Sequence, residues 1–230
     1  MSDNTILRVS NKTALVFGAS GLIGAQVVNQ LLNHPAYEKV IAFYRKEVDL
    51  QHLKLETHIV DLEEILDWMQ WIRGHDLFIC LGTTMEKAGS KKAFHHIEYD
   101  YITKIAGIAQ SNGVNQLMLV SALSADAKSL FFYNQVKGLI EDYIKQLEFW
   151  AIHILRPSLL LGERNEQRTL ESISAGVGLA LKAIGPKLFS KITPIEGEKV
   201  ARCMIKVAQE TRSGVFYYPS EVIAKIGKPM

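Results

Sequence analysis

The chain has 230 residues, 48% of them hydrophobic, and a formal net charge of +2. That length and apolar share suffice for a two-sided α/β core, and so small a charge argues against nucleic acid as a partner. No apolar run approaches the length of a bilayer span and no signal peptide is visible at the start, so the expectation is a soluble, cytoplasmic protein without a membrane partner.

In chain order, residues 13–17 (TALVF) form a short apolar strand, and GASGLIG follows at 18–24. A helix is expected at 22–33, with Ile23, Val27 and Leu31 on one face. A strand, a glycine turn and a helix N-terminus in that order form an anion cradle of free N–H groups and helix dipole. Gly18 permits the tight turn, Gly21 the approach of a pyrophosphate and Gly24 the close packing of helix on strand. Ser20, Leu22 and Ile23 complete the cradle.

Further strands are expected at 39–44, 55–60, 76–81, 116–120 and 150–155, with a last one at 215–218; helices are expected at 62–72, 94–112, 133–148 and 197–209. Apolar strands alternating with helices predict a Rossmann-type, doubly wound α/β fold. Its sheet is mostly parallel, with helices on both faces and a small C-terminal lobe. One NAD(P)-binding domain spans 1–230. Two stretches break the rhythm: a polar loop at 82–93, and the Gly-, Ser- and Arg-rich stretch 157–196, read as a substrate-covering lobe. Cys80 and Cys203 lie in apolar contexts and read as buried free thiols rather than a disulfide or metal site.

The end of the second strand meets the adenosine ribose in such folds, where an acidic residue selects NAD. Here Arg45 and Lys46 follow Tyr44, which favours NADP(H) over NAD(H), a guanidinium fork being suited to a 2′-phosphate. Asp61, with Leu62 beside it, is placed for the adenine amino group or for capping a helix. Leu81, Gly82 and Thr83 end the fourth strand on the nicotinamide side. Tyr133 and Lys137 stand four apart at a helix start, on one face. An ammonium favours the phenolate, and the phenol can pass a proton to or from a carbonyl or alcohol while a nicotinamide moves hydride. A third group, a hydroxyl at the end of the fifth strand, is Ser121, with Ser124 as the alternative.

The chain resembles the short-chain dehydrogenase/reductases of the extended or atypical type, and within them the Tat-interacting-protein oxidoreductase branch and its bacterial relatives. GASGLIG, LGTTMEKAGS (81–90), VSALSADAKS (120–129), YNQVKG (133–138) and LRPSLLLGER (155–164) carry the resemblance, across roughly 12–210. It implies a Rossmann fold, NADP(H) binding and a Ser/Tyr/Lys proton-transfer set on Ser121, Tyr133 and Lys137. Separately, the expected partner is a small-molecule substrate, and the expected assembly a monomer or homodimer. The chain departs from the pattern at Ala122, a methyl where the extended enzymes place the active hydroxyl. It departs again at Glu98, which lies near the position of their helical asparagine. The alternative function is that of an NADP(H)-binding regulatory or sensing protein without turnover.

Overall fold

The computed structural model describes residues 11–161 and 193–229. Nine strands and eight α-helices are found among them. They run β1 (Lys12–Phe17), α1 (Leu22–Leu32), β2 (Tyr37–Tyr44), β3 (Leu55–Ile59), α2 (Ile65–Trp68) and β4 (Asp76–Ile79). Next come α3 (Met85–Ala88), α4 (Lys91–His95), a π-helical turn (His96–Asp100), α5 (Tyr101–Ser111), β5 (Gln116–Val120) and α6 (Phe132–Ile144). The chain ends through β6 (Ala151–Arg156), β7 (Leu160–Leu161), β8 (Ile195–Glu196), α7 (Gly197–Val207), β9 (Gly214–Pro219) and α8 (Ser220–Ile226).

Seven strands form one sheet in the order β3-β2-β1-β4-β5-β6-β9. Every pairing in it is parallel, so the expected α/β class holds. Strand periodicity explains how two cores fit on one sheet. Ala14, Val16, Val40, Ala42, Phe78 and Met118 face a core shared with α1, α7 and α8. Their neighbours Leu15, Phe17, Ile41, Phe43, Leu77 and Leu117 face a second core shared with α2, α4, α5 and α6. Strands buried on both faces have no polar alternation, which is why they read as unbroken apolar runs.

Several expected boundaries are corrected. The helix at 62–72 is a single turn, Ile65–Trp68, followed by a 3₁₀ turn at Met69–Trp71. The loop at 82–93 contains α3 and the start of α4. Thr84 Oγ1 caps one by accepting from the Lys87 N–H, and Ser90 Oγ caps the other by accepting from the Ala93 N–H. Gly89, at φ 76°, separates the two. The helix expected at 133–148 ends at Ile144, and the strand at 76–81 ends at Ile79. Of the stretch 157–196, residues 162–192 lie outside the described ones; its ends pair as the short parallel ladder β7–β8.

Candidate functional site

Strand order reverses between β1 and β4, and in doubly wound sheets the crevice beyond that switch point, at the carboxyl ends of the strands, binds the ligand. The two loops that meet there are in contact. Gly18 sits at φ +77°, and a side chain on it would lie 2.5 Å from the Cys80 carbonyl oxygen. A methyl on Gly24 would lie 2.1 Å from the Gly18 oxygen, so only glycine lets α1 start this close to the turn. Gly21 is the N-cap of α1, with no side-chain cap and no acidic residue in the first turn. The positive end of the helix is therefore left for an external anion. Leu22 is half-buried against Gly197, Ile23 is buried and Ser20 is exposed. These residues fit a dinucleotide pyrophosphate.

At the end of β2, Tyr44 is buried while Arg45 and Lys46 are exposed. Neither has an ion-pair partner among the described residues, and the charge of Arg45 reaches the Tyr101 hydroxyl. The carboxylate Oδ1 of Asp61 accepts from the Glu63 N–H at 3.0 Å, and its carbonyl accepts from the Trp68 indole at 2.8 Å. Leu62 is buried beneath that turn. Leu81 and Thr83 are half-buried and Gly82 is exposed after β4. Cys80, expected to be buried, is only half-buried, because the strand ends one residue before it; its sulfur lies 3.9 Å from that of Met204.

α6 carries Tyr133 and Lys137 one turn apart. The Tyr133 ring packs on Phe94, with centroids 5.6 Å apart. Lys137 is buried and its ammonium donates to Glu98 Oε2 at 2.6 Å. The other oxygen of Glu98 accepts the Thr83 backbone N–H at 2.6 Å. One carboxylate thus ties α6 to the loop after β4. Glu98 reaches this point from the π-helical turn, where one extra residue swells the helix. Burial raises the Tyr133 phenol above its ordinary value, Lys137 opposes that and Glu98 adds to it. Burial draws the Lys137 ammonium down, but Glu98, with help from Tyr133 and Glu141, carries it above its ordinary value. The residue missed by the catalytic reading of the sequence is Glu98; the only signal was its closeness to the asparagine position.

The end of β5 separates the two serines. Ser121 is buried, and its hydroxyl donates to Glu141 Oε1 at 2.5 Å. Arg156 donates to both oxygens of the same carboxylate, its Nε lying 3.0 Å from Oε1. Ser124 is half-buried, and its hydroxyl has no partner among the described residues. The loop that carries both serines lies hard against α6. A methyl on Gly138 would lie 2.0 Å from the Ala127 nitrogen, and the Asp126 N–H donates to the Asn134 carbonyl.

A model of an NAD(P)H-binding family matches residues 18–211. The chain belongs to that NAD(P)H-binding family. It is 33% identical over 165 residues to Protein HTATIP2 of Rattus norvegicus, covering 70% of this chain and 68% of that one. It is 32% identical over 208 residues to "Protein FMP52, mitochondrial" of Candida albicans, covering 88% of this chain and 90% of that one. Among solved structures, a UDP-N-acetylglucosamine 4-epimerase from Methanobrevibacter ruminantium superposes with a TM-score of 0.67 at 14% identity, over 91% of this chain and 77% of that one. A short-chain dehydrogenase/reductase superfamily protein from Agrobacterium tumefaciens, with bound NAD, gives 0.67 at 14% identity, over 90% and 77%. The fold is of the atypical short-chain dehydrogenase/reductase type, as the sequence motifs implied. The cytoplasmic expectation is corrected, because the FMP52 relatives that match along most of their length are named mitochondrial. Among the described residues no helix is long and apolar enough to cross a membrane.

Proposed function

We propose that the chain is an NADP(H)-dependent oxidoreductase of a small carbonyl or alcohol substrate, with Tyr133 passing the proton. The observation that carries this reading is the Tyr133–Lys137 pair on α6, directed to the carboxyl edge of the sheet by the loop after β5 and held there through Glu98. The cradle of Gly18, Ser20, Gly21, Leu22, Ile23 and Gly24 would hold the pyrophosphate. Arg45 and Lys46 would take the 2′-phosphate, Asp61 and Leu62 the adenine, and Leu81, Gly82 and Thr83 the nicotinamide side. When bound, the nicotinamide supplies or accepts the hydride at the substrate carbon. The chain's own task is the proton. In reduction the Tyr133 hydroxyl donates it to the carbonyl oxygen, and Lys137 stabilises the phenolate left behind.

The hydroxyl that steadies the substrate oxygen is assigned to Ser124, because Ser121 is committed to Glu141. Ser121 then serves by fixing the β5 loop to α6. The reading takes the whole chain as one domain, with 157–196 over the substrate. One observation favours the alternative, an NADP(H)-binding regulatory protein: Ala122 is buried, a methyl at the position of the active hydroxyl. Fluorescence titration with NADPH and NADH, followed by a panel of aldehydes, ketones and quinones, separates the two. NADPH consumption abolished by Tyr133→Phe supports the enzyme. Tight NADPH binding without consumption across the panel supports the regulatory protein.

A further inference from the structure

The carboxylate of Glu98 is fully buried, and both its oxygens are engaged within the site. One holds the Lys137 ammonium and the other the Thr83 N–H, each at 2.6 Å. A side chain added to Gly82 would sit 3.5 Å from the same carboxylate, so the loop after β4 drapes directly over it. A simple α-helix from 91 to 111 would not need the extra residue that the π turn inserts at His96–Asp100. That insertion is a local cost in helix geometry, and single π turns gather at functional positions. A buried carboxylate beside a buried ammonium also does more than anchor it. It cancels the charge that would otherwise draw the proton off the neighbouring phenol.

We propose that Glu98 is a positioning residue that fixes the Lys137 ammonium against the nicotinamide-side loop and offsets its charge, so that Tyr133 is kept as a proton donor and the site is biased towards carbonyl reduction. This rests on the reading of Tyr133 as the proton-transfer group. In the reduction direction the phenol must arrive protonated. Its O–H bond breaks as the proton passes to the substrate oxygen, while hydride from the reduced nicotinamide forms the new C–H bond. In the oxidation direction the phenolate must be present first, and an unopposed ammonium would favour it. Glu98 weights the pair towards the first of these states. Of the two charges that act on the phenol, Lys137 lowers it and Glu98 raises it, in the same direction as burial.

The test is a spectrophotometric titration of phenolate near 295 nm in the free protein, parent minus Tyr133→Phe, which isolates Tyr133 among the tyrosines. It is repeated in the Glu98→Gln and Glu98→Asp backgrounds. The expected result is a midpoint lower by about one to two pH units in Glu98→Gln, the size of shift a neighbouring charge produces, and one near the parent's in Glu98→Asp. An unchanged or higher midpoint in folded Glu98→Gln overturns the proposal. If Glu98→Gln does not fold because it strands the ammonium, Lys137→Met is compared with Lys137→Met/Glu98→Gln, which removes both charges. A lower midpoint in the double variant supports the proposal, and equal midpoints overturn it. Full turnover in Tyr133→Phe would remove the reading of Tyr133 itself, and the titration separates that failure from a failure of the Glu98 assignment.

Discussion

Two buried lysine–carboxylate pairs stand at opposite ends of the same sheet, and they differ in how completely they are satisfied. At the amino edge, the Lys12 ammonium donates to Asp76 at 3.0 Å and to the Ala208 carbonyl at 2.9 Å. Asp76 also accepts from the Tyr37 hydroxyl at 2.6 Å and the Gln116 amide at 3.1 Å. Five elements or their ends converge there: β1, β2, β4, β5 and the last turn of α7. At the carboxyl edge, the three-donor Lys137 ammonium has one bonded partner among the described residues, Glu98. Beside it lies a phenol with none. A buried charge tied to several partners across the fold belongs to the scaffold. A buried charge with a single bonded partner, at the edge where such sheets bind ligands, is poised for something that arrives.

The comparison breaks if the two ends respond alike to mutation. The largest effect is expected at the carboxyl edge. Tyr133→Phe should lower turnover by about 10²- to 10⁴-fold and leave Tm and NADPH affinity near the parent values, since the ring still packs on Phe94. Steady-state kinetics and a thermal melt on the same preparation check both halves. At the amino edge, Lys12→Met should do the reverse. Stranding buried Asp76 should cost about 3–5 kcal/mol in urea unfolding, with turnover per folded molecule unchanged. A Lys12→Met protein that melts normally, or one that folds and loses turnover selectively, would erase the distinction.

The same contrast shows how much of the molecule could be read from its residues. Strands β1, β2, β4 and β5 were legible because burial on both faces leaves apolar runs that no helix-length pattern competes with. The glycine cradle and the four-residue step from Tyr133 to Lys137 were legible because each is local. The setting of Glu98 was not. It sits in FHHIEYD, a segment that reads as the start of a plain helix, and its partners are 15 and 39 residues away. The π turn that delivers it has no composition of its own. Two missed helices did carry signals: Ser90 three residues before Ala93 in α4, and SEVIAKI followed by Gly227 in α8. A serine cap and a terminal glycine mark helices that length alone would discard. The serine choice was undecidable for a similar reason. Nothing near Ser121 announces that Glu141, on α6 and itself held by Arg156 on β6, will accept from its hydroxyl.

A smaller effect sharpens the comparison at the adenosine end. Arg45→Asp should weaken NADPH binding by about ten- to a hundredfold, the contribution of one charge-assisted phosphate contact, and spare NADH. Calorimetric titration with both cofactors reads this directly. Because Arg45 is exposed and holds no carboxylate among the described residues, its loss should not move the melt. An equal loss for both cofactors would place the phosphate contact elsewhere.

The smallest effect concerns the outer side of the π turn that carries Glu98. His96 Nδ1 lies 2.8 Å from Asp100 and its Nε2 3.0 Å from Glu63, which also accepts from the Tyr101 hydroxyl at 2.5 Å. The bonds to Asp100 and Glu63 raise His96 above its ordinary 6.5, and those from Tyr101 and His96 lower Glu63 below its ordinary 4.5. A raised histidine contributes stability that is fully present below the unfolded value and lost as pH climbs through the folded one. A depressed carboxylate contributes stability present above its unfolded value and lost as pH falls through its folded one. The link between the Asp61–Glu63 turn and the π turn is therefore firmest from just above 4.5 to about 6.5. These groups face solvent, so the effect on the melt is small. It should show as a Tm advantage of the parent over His96→Asn that is largest near pH 6 and shrinks as pH rises through the raised histidine value. A constant difference across that interval would mean that His96 acts by packing rather than by charge. The outer face of the turn would then have no electrostatic part in holding Glu98 at the site.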